Sequence, residues 1–255
     1  MDRKTVFVTG AASGIGLATA GYFAARGWFV GLYDIHEEGV RKHLQTPEFR
    51  NACGGVCDVT RRESISAALE DFSERTKGRL DVLVNNAGVL WGGGFESVDP
   101  EHHHAMIDIN AKGLTDVAQL AFPLLKQTGN SALVNLCSAG SIYGAPYGAV
   151  YSASKFYVRG LSEALNIEWE RYGIHVTSVK PPYVQTPMLD KIPDEMKRRW
   201  EVKLAPEDVA EVVYRAAHGN RVSHIVTGKA RTLSLLVNVL PERVGRRLVK
   251  YVFNF

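Results

Sequence analysis

The sequence predicts a single α/β domain on a doubly wound, mostly parallel sheet flanked by helices, and three observations predict it. Short β-branched runs alternate with amphipathic stretches of roughly 10–15 residues, the rhythm of successive βαβ units. A glycine-rich turn separates the first such run from the first helical stretch. The chain has 255 residues, 45% of them hydrophobic and 22% charged. That suits one well-buried domain, and neither repeat, low-complexity segment nor linker interrupts it.

Residues 5–8 read as a buried strand, 16–26 as a helix ended by Gly27, and 28–33 as the next strand. A weaker strand follows at 54–57, then a helical spacing over 61–75 and a strand at 80–84. Asp99 before Pro100 marks a helix start, with Asp99 as cap and Pro100 in the first turn. That helix runs towards Leu114, and another covers 115–126. A strand at 132–136, a long helix over 152–170 closed by Gly173, a strand at 174–179 and a final strand at 224–228 complete the pattern. The division expected is a cofactor-binding half over 1–136, a catalytic and substrate half over 137–228, and a variable tail over 229–255.

Lys and Arg total 30 against 27 Asp and Glu, a net charge of +3 that is too small and dispersed to indicate nucleic-acid binding. No apolar run is long enough to span a bilayer as a helix. The first residues enter a β-like run at once, which leaves no room for a secretory leader. Three cysteines, Cys53, Cys57 and Cys137, fit a reducing compartment better than a disulfide framework. A soluble, cytoplasmic protein is the expectation.

The turn Thr9-Gly10-Ala11-Ala12-Ser13-Gly14-Ile15-Gly16 lies between strand and helix. Glycines there let the backbone approach a pyrophosphate, whose charge a helix N-terminus favours. The second strand ends in Asp34, whose carboxylate can accept both ribose hydroxyls of adenosine and would repel a 2′-phosphate. Ile35 follows it and Ser13 precedes Gly14, so neither position supplies a cation, and the preference expected is NAD(H) over NADP(H). The alternatives are an ordinary tight turn and, for Asp34, a strand-end turn residue.

Tyr151 and Lys155 stand one turn apart on one helix face. A tyrosine hydroxyl is a poor acid–base group at neutral pH, and an adjacent ammonium lowers its pKa. Ser138 ends the preceding strand, where its hydroxyl can bond a substrate oxygen as charge develops. Singly, the pair could be chance and Ser138 a cap.

Together these residues resemble the short-chain dehydrogenase/reductase family, of Rossmann type, over nearly the whole chain. The resemblance rests on the glycine turn, Cys57-Asp58-Val59, Asn85-Asn86-Ala87-Gly88, Asn110, Ser138, Tyr151-x-x-x-Lys155 and Pro181-Pro182-Tyr183-Val184-Gln185-Thr186. It implies that Gly10, Ser13, Gly14, Ile15 and Gly16 cradle the dinucleotide, Asp58 beside Val59 contacts the adenine, and Asn86, Ala87 and Gly88 support the cleft. It implies that Tyr151 is the acid/base, that Lys155 binds the nicotinamide ribose and depresses the tyrosine pKa, and that Ser138 orients the substrate. Asn110 would hold a water on a proton relay, and Val184 and Thr186, after Pro181, would contact the carboxamide and a phosphate. Pro182 stands where the family usually has glycine, which stiffens this loop and directs Tyr183 towards the substrate. The chain lacks the Val-Asp-Gly-Gly ending common in tetrameric branches. A homodimer through the helices around 101–126 and 152–170 is expected, with a tetramer as the alternative.

Trp91, Tyr143, Tyr147, Tyr183 and Met188 are candidate walls of an apolar pocket, joined by Leu189, Ile192, Met196 and Trp200 from the loop over 187–204. Such a pocket suits a steroid-like, aryl or long-chain alcohol or ketone; core packing is the alternative for each residue. In the tail, Val244, Leu248, Tyr251, Val252 and Phe255 recur at helical spacing opposite Arg243, Arg247, Lys250 and Asn254. The tail can pack on its own domain, lie on an anionic membrane surface or close over a partner subunit's pocket. His102, His103 and His104 are too close in sequence to share a helix face, and Cys53 and Cys57 lack a second ligand pair, so no metal site is expected. The rival functions are an NADP(H)-dependent carbonyl reductase and a dinucleotide-sensing or membrane-surface binding protein with little turnover.

Overall fold

Seven parallel strands lie in the order β3-β2-β1-β4-β5-β6-β7 in the computed structural model, which describes residues 3–192 and 202–253. The strands are β1 (Thr5–Thr9), β2 (Phe29–Asp34), β3 (Ala52–Val56), β4 (Val82–Asn85), β5 (Ser131–Leu136), β6 (Ile174–Lys180) and β7 (Ser223–Ile225). The chain starts mid-sheet at β1, winds outward to β3, then crosses to β4 and winds outward to β7. The reversal leaves a crevice between the carboxyl ends of β1 and β4, where α/β sheets of this kind bind ligands.

Alternation along each strand sends neighbouring side chains to opposite faces, and both faces are covered. Val6, Val8, Val30, Leu32, Val82 and Val84 face one core, under α1 (Gly14–Ala24) and α7 (Pro206–Ala217). Phe7, Leu83, Leu133 and Val176 face the other, under α3 (Arg62–Thr76) and α5 (Leu114–Thr128). There Phe7 stacks on Tyr33 at 4.4 Å between ring centroids and meets Phe72 edge-on at 5.3 Å. Burial of one such ring contributes about 1.5–3 kcal/mol.

The remaining helices are α2 (Glu37–Leu44), α4 (Pro100–Ile107), α6 (Ala149–Glu170), α8 (Gly228–Val239) and α9 (Glu242–Phe253). Asp99 caps α4 as expected, its side chain accepting from the Glu101 N–H at 2.8 Å. The single helix expected towards Leu114 instead widens into a π turn over Asp108–Gly113 before α5 begins. The sequence reading also left out α2, α7 and α8. α2 buries only Val40, so it carries almost no apolar stripe. α7 does carry one, Val209, Val212, Val213 and Ala216, behind a Pro206 start.

Candidate active site

Backbone geometry shapes the crevice. Gly10 and Gly14 sit at φ +66° and +55°, in the left-handed region that β-carbons disfavour. A Cβ on Gly16 would lie 2.0 Å from the Gly10 carbonyl oxygen, so only glycine lets α1 press this close to the turn. β4 holds the turn from the other side: the Asn86 amide donates to the carbonyls of Thr9 (2.9 Å) and Gly10 (3.1 Å). The Thr9 hydroxyl accepts the N–H groups of Asn86 and Ala87, each at 3.0 Å. Thr9, the first residue of the glycine motif, thus ties β1 to β4.

Asp34 is buried at the end of β2, where its two carboxylate oxygens accept the Ala12 and His36 N–H groups at 2.9 Å each. It is therefore a turn residue and a cleft residue together, since a carboxylate keeps lone pairs after two such bonds. The crevice, about 340 Å³, is lined by Gly10, Ser13, Gly14, Ile15, Asp34, Asp58, Val59, Asn86, Ala87, Gly88 and Thr186. Gly16 lies behind that wall and serves packing. The surroundings fit a dinucleotide: a cradle that any β-carbon would fill, a helix N-terminus, and an acid at the far strand end.

A second, more apolar cavity of about 270 Å³ adjoins it, and Ile15, Asn86, Gly88, Leu90, Thr186 and Met188 line both. Ser138, Tyr151 and Lys155 meet in its wall with Pro181 and Val184. The Ser138 hydroxyl accepts the Gly140 N–H at 3.0 Å, so the cap reading is realised as well, and it is hydrogen-bonded to Tyr151. Lys155, buried, donates to the Leu136 carbonyl at 2.9 Å and lies 5.7 Å from the Tyr151 ring centroid. Asn110 sits in the π turn, where its amide pairs both ways with the Val89 backbone (2.8 and 2.9 Å) and donates to Ser154 at 3.2 Å. Its side chain thus fixes the loop after β4 beside Gly88.

Burial pushes the Tyr151 hydroxyl up to about 12, and its bond with Ser138 opposes the rise. Burial likewise lowers Lys155 to about 8. For both groups desolvation by burial is the largest cause.

Tyr143, Tyr147, Tyr183, Met188, Leu189 and Ile192 all line the apolar cavity. Tyr147 is held at φ +61°, and its carbonyl accepts the Gly93 N–H at 2.8 Å. Trp91 does not join the lining: its ring stacks on His102 at 4.5 Å, while His103 stacks on Phe95 and bonds its carbonyl. The histidines therefore serve packing as well as facing solvent. Met196, Trp200, Asn254 and Phe255 lie outside the described residues. Sequence reasoning missed Leu90, Ile142, Ala230, Leu233 and Val249 as cavity walls, while Val252 stood in the helical spacing read in the tail. The tail packs over the cavity of its own chain.

Residues 4–197 match the family model described as short chain dehydrogenase. The chain belongs to the short-chain dehydrogenase family. It is similar to a 3-oxoacyl-(acyl-carrier-protein) reductase from Thermotoga maritima, 33% identical over 237 residues, 90% of this chain and 95% of the relative. A 3alpha-hydroxysteroid dehydrogenase from Mediterraneibacter gnavus is 31% identical over 76% of this chain and 79% of its own. Among solved structures, a 3-ketoacyl-(acyl-carrier-protein) reductase from Brucella melitensis complexed with NADH superposes with a TM-score of 0.80 at 27% identity, covering 89% and 98% of the two chains. An actinorhodin polyketide ketoreductase with NADPH gives 0.80 at 32% identity, covering 90% and 97%. This short-chain dehydrogenase is thus an oxidoreductase acting on CH–OH groups with a nicotinamide cofactor. No helix among the described residues is long and apolar enough to cross a membrane.

Proposed function

We propose that this short-chain dehydrogenase interconverts a secondary alcohol and a ketone on a hydrophobic small molecule, using NAD(H). The observation that carries the reading is the shared wall between the dinucleotide crevice and an apolar cavity holding Ser138, Tyr151 and Lys155. The relatives named as a hydroxysteroid dehydrogenase and ketoacyl reductases support the reaction class. When bound, the nicotinamide supplies or accepts the hydride.

The chain's own residues orient the substrate and move its proton. Ser138, anchored by Gly140, presents its hydroxyl to the substrate oxygen, while Leu90, Ile142, Tyr183 and Leu233 exclude water. In reduction, Tyr151 donates its phenolic proton to the ketone oxygen as negative charge develops there. With its hydroxyl at about 12, it is protonated at neutral pH and ready for that direction. In oxidation the same oxygen, deprotonated, takes the alcohol proton. Lys155, one turn along the same helix face, would stabilise the tyrosinate electrostatically and hold the nicotinamide ribose. Asn110 positions Gly88 and Val89 beside it; Asp58 and Val59 suit the adenine end, and Val184 and Thr186 the carboxamide and phosphate.

Two features support NAD(H) over NADP(H). Asp34 sets a negative charge where a 2′-phosphate would lie, and the cations of α2 pair within their helix, Arg41 with Glu37 at 2.9 Å and Lys42 with Glu38 at 3.4 Å. A homodimer through the helices around 101–126 and 152–170, α4, α5 and α6, is supported by the exposed Ile107, Phe156, Tyr157 and Ile167.

The test follows NADH formation or consumption by wild type and Tyr151→Phe across hydrophobic secondary alcohols and ketones. Loss of the proton donor should lower kcat by about 100-fold or more, with NADH affinity unchanged. A Tyr151→Phe enzyme as fast as wild type would overturn the mechanism. Silence from both proteins with NADH bound would favour a dinucleotide-binding protein.

A further inference from the structure

The C-terminal hairpin has two unlike faces. Inward, Ala230 and Leu233 of α8 and Val249 of α9 close the apolar cavity, with the half-exposed Val252 at its rim. Outward, Leu235 is 65% exposed, Val239 82% and Tyr251 84%, with Leu236 and Val244 exposed beside them. Leu235 and Val239 are spaced i, i+4 on α8, so they share one side of it, turned from Ala230 and Leu233. On α9, Val244, Arg247 and Tyr251 share one flank by the same rule, and Arg243, Arg246, Arg247 and Lys250 are all exposed. From Lys229 to the end of the chain, Glu242 is the only acid.

We propose that the outer face of the α8–α9 hairpin docks peripherally on an anionic lipid bilayer. Apolar side chains flanked by cations suit the boundary between headgroups and acyl chains, where the cations meet lipid phosphates. A second copy of the chain fits less well. A two-fold contact through this face would gather Arg243, Arg246, Arg247 and Lys250 of both copies in one interface, with Glu242 the one acid of each hairpin to offset them. Docking would also turn a wall of the apolar cavity towards the bilayer, making its substrate a membrane-resident alcohol or ketone. That consequence rests on the function proposed above; the docking itself does not.

Flotation of the full chain with vesicles of phosphatidylcholine plus phosphatidylglycerol, and of phosphatidylcholine alone, tests it. Binding is expected to the anionic vesicles only and to weaken in high salt. Arg243→Glu/Arg247→Glu should bind about 25-fold more weakly or worse, about fivefold for each cation lost. Leu235→Asp/Val239→Asp, at exposed positions, should abolish binding while circular dichroism stays that of wild type. No wild-type binding, equal binding to neutral vesicles, or folded variants that bind like wild type would each overturn the proposal. So would a concentration-dependent dimer broken by Leu235→Asp/Val239→Asp, which would assign the face to a second copy. Turnover of a water-soluble alcohol should survive in both double variants. Its absence in wild type would strike the function reading and leave the vesicle result standing.

Discussion

The dinucleotide crevice and the apolar cavity share a wall yet are made by different means. The crevice is built from main chain: two left-handed glycines, a third pressed against a carbonyl, and N–H groups held by Thr9 and Asp34. The cavity is built from side chains that arrive from β5, α6, the loop after β6 and the C-terminal hairpin. A main-chain site tolerates almost no added atom. A side-chain site can change its walls while its floor stays fixed, so the two regions should answer substitution differently.

The largest effect expected in this contrast is at Gly16. An alanine there must move backbone, because its Cβ would fall 2.0 Å from the Gly10 oxygen. Gly16→Ala should lose about 3 kcal/mol of stability, together with NADH binding measured by fluorescence titration. Unaltered binding would break the distinction, since the crevice would then be as plastic as the cavity. Asp34→Ala comes next. It leaves the Ala12 and His36 N–H groups without their acceptor, for a loss of about 2 kcal/mol, and relaxes the preference for NADH over NADPH. Competitive titration of both cofactors separates these consequences: destabilisation with the preference intact would leave Asp34 a turn residue alone.

The smallest effect sharpens the side-chain half of the contrast. Lys155 is held at about 8 in the folded protein against 10.5 ordinarily. Between those values the unfolded chain binds the extra proton, so the stability of wild type rises with pH across that interval as the buried ammonium is neutralised. Tyr151, raised from 10.0 to about 12, acts in the opposite sense and only above pH 10. Lys155→Met has no such group. Denaturant melts should therefore show wild type gaining on the variant from pH 8 to pH 10. A gap independent of pH would mean that the ammonium is well solvated.

The same contrast explains what the sequence disclosed. The crevice was legible because its chemistry is local: glycines in one turn, and an acid at the end of the next strand. Tyr151 and Lys155 were legible because helical spacing places them together, but their electrostatics were not, since these depend on burial. Trp91 reads from sequence like a pocket residue, and only the fold shows that α4 offers it His102. For the hairpin, spacing disclosed the apolar residues of α9 but neither α8 nor which side chains cover the cavity. Asp34 shows a different limit, because turn and ligand readings were set against each other where the geometry satisfies the first and leaves room for the second.

The π turn at Asp108–Gly113 has a consequence beyond the placement of Asn110. It carries one residue more than an α-helical path between α4 and α5 would need. Deleting that residue would rotate α5 against α4 by about 100°. Met106 on one side and Val117, Ala121 and Leu125 on the other could then no longer all face inward. The widened turn works as a phase shifter, letting two helices in line keep separate inward faces while an amide is presented at their junction.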